Sequence, residues 1–185
     1  RAAFEVLESA EKAVALISDL LDLSRLDENR LRPMIQAVEP AAIVRRTMTR
    51  LTPLAEAKHI VQSFEADAPL PGIQTDAQRV EQILINLFTN AIRHSPERGT
   101  VTVRVQEHKD RIRFEVRDEG SGIPPSDVEQ VFDVYVTKAG EESRGSGLGL
   151  PLSRRLARLL GGELTAVAKP GEGGCFVLEL PKSMG

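Results

Sequence analysis

The chain has 185 residues, 41% of them hydrophobic, enough for one sizeable core and an accessory element. Its formal net charge of −3, spread over 28% charged residues of mixed sign, argues against a nucleic-acid binder, which would carry a basic excess. A single cysteine, Cys175, excludes an internal disulfide framework and fits a reduced, cytosolic setting, no His/Cys cluster has zinc spacing, and no apolar run reaches the length of a membrane span.

The chain opens at Arg1 inside a helical pattern and is expected to be part of a longer protein. Ala3, Leu7, Ala10, Val14, Ile17, Leu21 and Ser24 alternate spacings of four and three, a heptad seam. Phe4, Leu16, Leu20 and Leu23 widen it. This predicts a long helix over 1–30 that seeks a bundle. With no second long heptad segment to pair with, a dimeric bundle is expected. Pro33 and Pro40 bracket "MIQAVE", a linker with strand character. Residues 41–57 read as a helix with an irregularity at Pro53, "HIVQSFEA" (59–66) as a strand opened by His59, and "PLPG" (69–72) as a loop. Asp76 is placed to N-cap a helix that runs to His94.

"TVTVRVQ" (100–106) and "RIRFEVRD" (111–118) alternate apolar and polar residues around a charged turn, which predicts a β-hairpin. "EGSGIPPS" is a glycine–proline loop and "DVEQVF" a short helix. Residues 133–147 have the composition of a mobile loop. "LGLPLSRRLARLLGG" reads as a helix with Pro151 in its first turn and a glycine stop. Arg154, Arg155 and Arg158 form its solvated face. "ELTAVAK" and "CFVLELP" are closing strands around "PGEGG", with Cys175 as a buried apolar residue. Three helices and about five strands predict an α/β fold, a two-layer sandwich with a mixed sheet, preceded by the long N-terminal helix.

The central helix carries the first chemical signal. Val80, Ile83, Leu84, Leu87 and Ala91 make an apolar stripe, and Ile85, Phe88 and Ile92 cover a second sector. Gln82, Asn86, Asn90 and Arg93 occupy the remaining one. An ordinary solvated stripe is rich in Lys and Glu. Two amides and an arginine suit either satisfaction by neighbouring backbone or the wall of a cavity. In a cavity, amide oxygens are hard ligands suited to Mg²⁺ and Arg93 is suited to a phosphate.

Two glycine loops follow. "DEGSGI" (118–123) sets Asp118 at the end of a strand, where its carboxylate can accept from an exocyclic amine such as adenine offers. Gly120 and Gly122 there let a flat base approach the backbone. "GSGLGL" (145–150) opens a helix, whose free N–H groups favour phosphate. Neither loop is a P-loop or a Rossmann fingerprint.

The ordered set "NLFTNAIRHSP", "DEGSGI", "VFDVY" and "GSGLGL" resembles the catalytic and ATP-binding domain of sensor histidine kinases, in the superfamily that includes gyrase and chaperone ATPases. The resemblance covers roughly residues 36–181. Residues 1–30, with "ISDLLDLSRLDENRL", resemble the second helix of the family's dimerisation and phosphotransfer hairpin. It implies a Bergerat-type ATP-binding fold. The implied division is a partial hairpin over 1–32, a linker and first strand over 33–40, and the catalytic ATP-binding domain over 41–185.

By position, the resemblance makes Asn90 the Mg²⁺ ligand and Asn86 the polar position one turn before it, both within the catalytic apparatus. Arg93 becomes the phosphate-contacting base and His94 the neighbour of adenine. Asp118 becomes the adenine-binding carboxylate, with Gly120, Gly122 and Ile123 around the base. Phe132 and Tyr135 match the aromatic box beside the ATP lid, where they either contact nucleotide or only pack the lid's base. Gly145, Ser146, Gly147, Leu148 and Gly149 match the second glycine box. Lys138 and Arg144 lie in the lid, either solvated or reaching phosphates.

The implied activity is transfer of the ATP γ-phosphoryl to a histidine. His59, His94 and His108 do not fit the phosphoacceptor motif, and none lies in the hairpin region, so that histidine is expected outside this chain. Imidazole is itself the nucleophile, so an amide at Asn86 is tolerable where ATP-hydrolysing relatives such as gyrase resemble one another in having a glutamate. The implied partners are ATP, a phosphoacceptor hairpin, a response regulator receiver domain and a second copy of the chain, without nucleic acid. The implied location is cytoplasmic, with a membrane anchor in the parent left open. An adaptor that merely uses this fold, and a serine kinase or ATPase of the same superfamily, are the competing readings. Failure to bind nucleotide would favour the first and transfer to serine the second.

Overall fold

The computed structural model describes residues 2–67, 69–134 and 146–183. Its first elements are α1 (Ala2–Asp27), β1 (Gln36–Val38), α2 (Pro40–Ala57), β2 (Val61–Ala66), β3 (Ile73–Thr75) and α3 (Ala77–His94). The hairpin β4 (Thr100–His108) and β5 (Arg111–Arg117) comes next, then two 3₁₀ turns, Pro125–Asp127 and Gln130–Phe132. The described chain closes with α4 (Gly149–Leu159), β6 (Glu163–Ala166) and β7 (Cys175–Pro181).

Five strands form one mixed sheet in the order β2-β4-β5-β7-β6. β2 runs parallel to β4 and the other neighbours are antiparallel. The alternation read along the hairpin becomes an apolar layer through register: Val105 faces Phe114, Phe114 faces Leu178, and Leu178 faces Leu164. All four are fully buried. The apolar stripe of α3 lies in the same core, with Val80, Ile83, Leu84 and Leu87 at 0% exposure. Burying one such side chain contributes about 1.5–3 kcal/mol, so this seam fixes α3 against the sheet.

Both ends of α3 are pinned. The Asp76 carboxylate accepts the Arg79 N–H at 3.1 Å as an N-cap, and its other oxygen accepts the backbone N–H of Met34 at 2.8 Å. At the far end the Lys58 ammonium donates to the carbonyls of Ile92 and Arg93. α2 starts on Pro40 in its first turn and continues through Pro53. α4 ends at Leu160, with Gly161 beyond it at φ 75°.

α1 docks on this sandwich rather than standing clear of it. Asp22, 7% exposed, accepts from the Arg79 guanidinium at 2.9 Å and from the Gln82 amide at 3.1 Å. Asp27 accepts from Arg155 of α4 at 2.5 Å, and Leu23 joins the core. Val14, Ile17 and Leu21 of the predicted seam point outward and are exposed.

The fold corrects four readings. β3 was not foreseen; it pairs antiparallel with β1, and together they make a ribbon separate from the main sheet. His59 does not open a strand but sits in the turn before β2 at φ 56°. "DVEQVF" is no α-helix. Its turns close by i→i+3 bonds, Asp127 N–H to the Pro124 carbonyl and Phe132 N–H to the Glu129 carbonyl, as so short a segment favours. Arg154 is not on a solvated face: its side chain is 15% exposed. No helix among the described residues is long and apolar enough to cross a membrane.

Candidate functional site

The polar stripe of α3 divides its tasks. At its start, Gln82 joins Arg79 in holding Asp22 of α1. In the middle, the Asn86 Nδ2 donates to the Gly149 carbonyl at 3.2 Å and to the Ser153 hydroxyl at 2.9 Å, tying α3 to α4. Toward its end, Asn90, Arg93 and His94 line a cavity of about 270 Å³, which Asn86 also borders.

The loop after β5 makes a second wall. Asp118 is 6% exposed, and its Oδ1 accepts two backbone N–H groups, from Gly120 at 2.7 Å and Gly174 at 2.9 Å. The Asp118 N–H in turn donates to the Gly174 carbonyl at 3.0 Å. A side chain at Gly174 would fall on the Asp118 carboxylate, so only glycine permits this clasp. Gly122 lies at φ 79°, where a Cβ would overlap the Lys169 carbonyl. Gly122 and Ile123 line the cavity, whereas Gly120 sits behind Asp118 against the His94 carbonyl.

The third wall is the start of α4. Ser146, Gly147 and Gly149 line the cavity, and the Leu148 N–H donates to the Ser146 hydroxyl at 3.2 Å. Leu148 itself is fully buried and packs in the core. Among the described residues no N-cap side chain bonds the start of α4 and its first turn holds no acid, so its N-terminal N–H groups and dipole are left as an anion-favouring end. Phe132 backs this wall, edge-on to Phe176 at 6.2 Å and beneath the Arg154 guanidinium at 4.4 Å. Arg154 also bonds Glu129 at 2.8 Å and Glu163 at 3.0 Å. Burial pushes the Glu163 carboxyl up, but its bonds to Arg158 and Arg154 outweigh this and hold it below the usual range.

The structure thus gathers Asn86, Asn90, Arg93 and His94 with Asp118 and the two glycine loops around one cavity. Tyr135, Lys138, Arg144 and Gly145 lie outside the described residues. Several wall residues escaped the sequence reading, Thr89, Gly174 and Asp19 among them. Thr89 sits beside Asn90 off the stripe, and Gly174 arrives from the turn before β7. Asp19 comes from α1, and burial, then the charge of Asp22, push its carboxyl above the usual range. Asp19 and Asp22, three residues apart and so on one face of α1, were the available signal for Asp19. No cluster of three or more His, Cys, Asp or Glu side chains stands ready for a metal among the described residues.

Comparison with known proteins agrees with this geometry. The family described as histidine kinase-, DNA gyrase B-, and HSP90-like ATPase matches residues 75–184. The alginate biosynthesis sensor protein KinB of Pseudomonas aeruginosa is 32% identical over 94% of this chain and 29% of its own length. The sensor histidine kinase MtrB of Mycobacterium tuberculosis is 34% identical over 97% of the chain and 32% of its own length. The chain therefore spans about a third of these relatives. The crystal structure of full-length ShkA in complex with AMPPNP superimposes with a TM-score of 0.86 at 29% identity, over 96% of this chain and 37% of that one. With the family's match running from β3 through the polar stripe and both glycine loops, the chain belongs to the histidine kinase-, DNA gyrase B- and HSP90-like ATPase family, as its ATP-binding domain.

Proposed function

We propose that this chain is the ATP-binding catalytic portion of a two-component sensor histidine kinase. It transfers the ATP γ-phosphoryl to a histidine outside this chain, for relay to a response regulator. The observation that carries the reading is the clasp on Asp118. Both N–H bonds end on Oδ1, which leaves Oδ2 to accept from the exocyclic amine of adenine. His94, Gly122 and Ile123 then flank the base. Arg93 and the N–H groups around Ser146, Gly147 and Gly149 face the phosphates. Gly120 acts by holding Asp118 and Leu148 by packing α4. Tyr135, Lys138 and Gly145 belong to the segment expected to cover the nucleotide.

The donor set fits Mg²⁺. An amide oxygen, Asn90, lines the cavity, no cluster of three His, Cys, Asp or Glu among the described residues is set to cage a metal, and Mg²⁺ takes few protein ligands when phosphates and water supply the rest. Bound there, the cation would neutralise phosphate charge. The protein's own part is positioning: the Asp118 loop holds the base while Arg93 of α3 and the start of α4 hold the phosphates, as an imidazole nitrogen attacks the γ-phosphorus and the bond to the β,γ-bridging oxygen breaks, releasing ADP. Asn86 acts through α4. Its amide hydrogens are engaged with Gly149 and Ser153, and a carboxamide offers no base for water. The position therefore suits transfer to imidazole rather than hydrolysis.

Residues 1–32 are read as the second hairpin helix, 33–40 as the linker and 41–185 as the catalytic domain. The outward Val14, Ile17 and Leu21 supply a seam for a second copy, which supports a homodimer. Dependence on ATP assigns the domain to the cytoplasm, whatever anchors the parent. The test is titration with ATP and ADP in Mg²⁺, followed by transfer from ATP to a separate phosphoacceptor hairpin. Binding and transfer are expected. Absence of nucleotide binding overturns the reading.

A further inference from the structure

Ser153 is out of keeping with its surroundings. It shares the inner side of α4 with Leu152, Leu156 and Ala157, and all four are fully buried. A buried hydroxyl on a helix ordinarily bonds the carbonyl one turn back, as Thr47 of α2 does with Ile43 at 2.9 Å. Ser153 instead serves another helix, accepting from the Asn86 Nδ2 of α3 at 2.9 Å. Gly149, one turn earlier in α4, accepts from the same nitrogen through its carbonyl at 3.2 Å. A carboxamide has two N–H groups, and both are thereby engaged. The Gly149 carbonyl can only accept, so the end of the amide against it is the nitrogen, and a flip would set oxygen against oxygen. Among the described residues no donor is bonded to Asn86 Oδ1. The oxygen is the end left for the cavity that Asn86 lines.

We propose that Ser153 is a positioning residue for the cation-bound nucleotide. It stands outside the lining of the cavity and acts through Asn86. By holding the second N–H it fixes the plane of the carboxamide, so that Asn86 presents oxygen rather than nitrogen to the cavity. The inference rests on the ATP reading, in which Asn90, one turn further along α3, holds Mg²⁺. An amide oxygen is a hard donor suited to that cation or to the water it carries, whereas an NH₂ turned the same way would meet it with hydrogens. The Gly149 bond alone is a weak guide, because 3.2 Å is at the long end for N–H···O and a single tie lets the amide swing about it. An oxygen already held in place needs no ordering when the cation arrives. A bond that merely locked α3 to α4 would act on nucleotide binding with and without the cation alike.

The test titrates the whole 185-residue chain with a non-hydrolysable ATP analogue by calorimetry, once in Mg²⁺ and once with the metal chelated. Ser153→Ala removes only the hydroxyl, and alanine favours helix, so α4 is retained, as a melting curve checks. The native chain should bind the analogue more tightly in Mg²⁺. In Ser153→Ala that gain should shrink about fivefold, as the loss of one hydrogen bond implies, while affinity without the cation stays within about twofold of native. In an Asn86→Ala background the same substitution should change neither affinity, because the amide it positions is gone. In the native chain, the two side-chain hydrogens of Asn86 should exchange slowly with solvent by NMR. An equal loss with and without Mg²⁺, an undiminished gain, a further loss in the double variant, or fast exchange of those hydrogens overturns the inference. So does a native chain that binds the analogue with no gain from Mg²⁺. Failure of the native chain to bind the analogue under either condition overturns the ATP reading itself.

Discussion

Lys58, just beyond the end of α2, places its ammonium on the last carbonyls of α3, 2.7 Å from that of Arg93 and 3.1 Å from that of Ile92. A cation at a helix C-terminus satisfies orphan carbonyls and complements the dipole. Here it also fixes the turn that carries Arg93 and His94 into the cavity. Lys58→Met should cost about 0.5–2 kcal/mol of stability by denaturant titration. It should weaken nucleotide binding as well, because the site's own helix end loosens.

Gly174 and Gly171 provide a matched pair. Alanine at Gly174 meets the Asp118 carboxylate, whereas alanine at Gly171 meets nothing within 4 Å and only strains a φ of 78°. Gly174→Ala should abolish measurable adenine nucleotide binding. Gly171→Ala should cost about 1 kcal/mol of stability and leave nucleotide affinity as it is. Calorimetric titration of both variants separates the two effects.

Removing the carboxylate itself should be costly to binding. Asp118→Ala deletes a charged hydrogen bond to the base, worth about 1–3 kcal/mol, or about fivefold to 150-fold in ATP affinity. Undiminished affinity in that variant would show that adenine is held elsewhere.

Asn90→Ala separates the metal role from the fold. The variant should melt as the native chain does, keep some Mg²⁺-independent nucleotide binding, and lose Mg²⁺-dependent phosphotransfer. Transfer at the native rate would remove Asn90 from the site.

Glu163 gives a pH signature. Its carboxyl is held below the usual range in the folded chain, so its bonds to Arg154 and Arg158 contribute stability above the unfolded value. That contribution is lost as pH falls through the lowered folded value. Native protein and Glu163→Gln should therefore differ in melting temperature near neutrality and converge as pH falls through that lowered value.

Periodicity made much of this legible. The α3 stripe, the hairpin and both glycine loops were readable because each is a local pattern, and register then completes the core. What escaped reading was non-local. β3 is three residues long and becomes a strand only because β1, far back in the chain, pairs with it. Gly174 looks like any turn glycine until folding sets it against Asp118. Arg154 resembled a surface cation because neither Phe132 nor Glu163 announces that it will converge there. Asp19 was hidden by the assumption that α1 belongs to another body.

Asp76 has a mechanical consequence. One oxygen of this carboxylate starts α3 and the other holds the linker at Met34. A pull on the linker at Met34 therefore loads the same carboxylate that caps the first turn of the nucleotide helix. A pull or twist delivered along α1 reaches that turn through a rigid coupling instead of being absorbed as slack. Hydrogen exchange at the Arg79 amide, which should quicken when the linker is strained, would register the load.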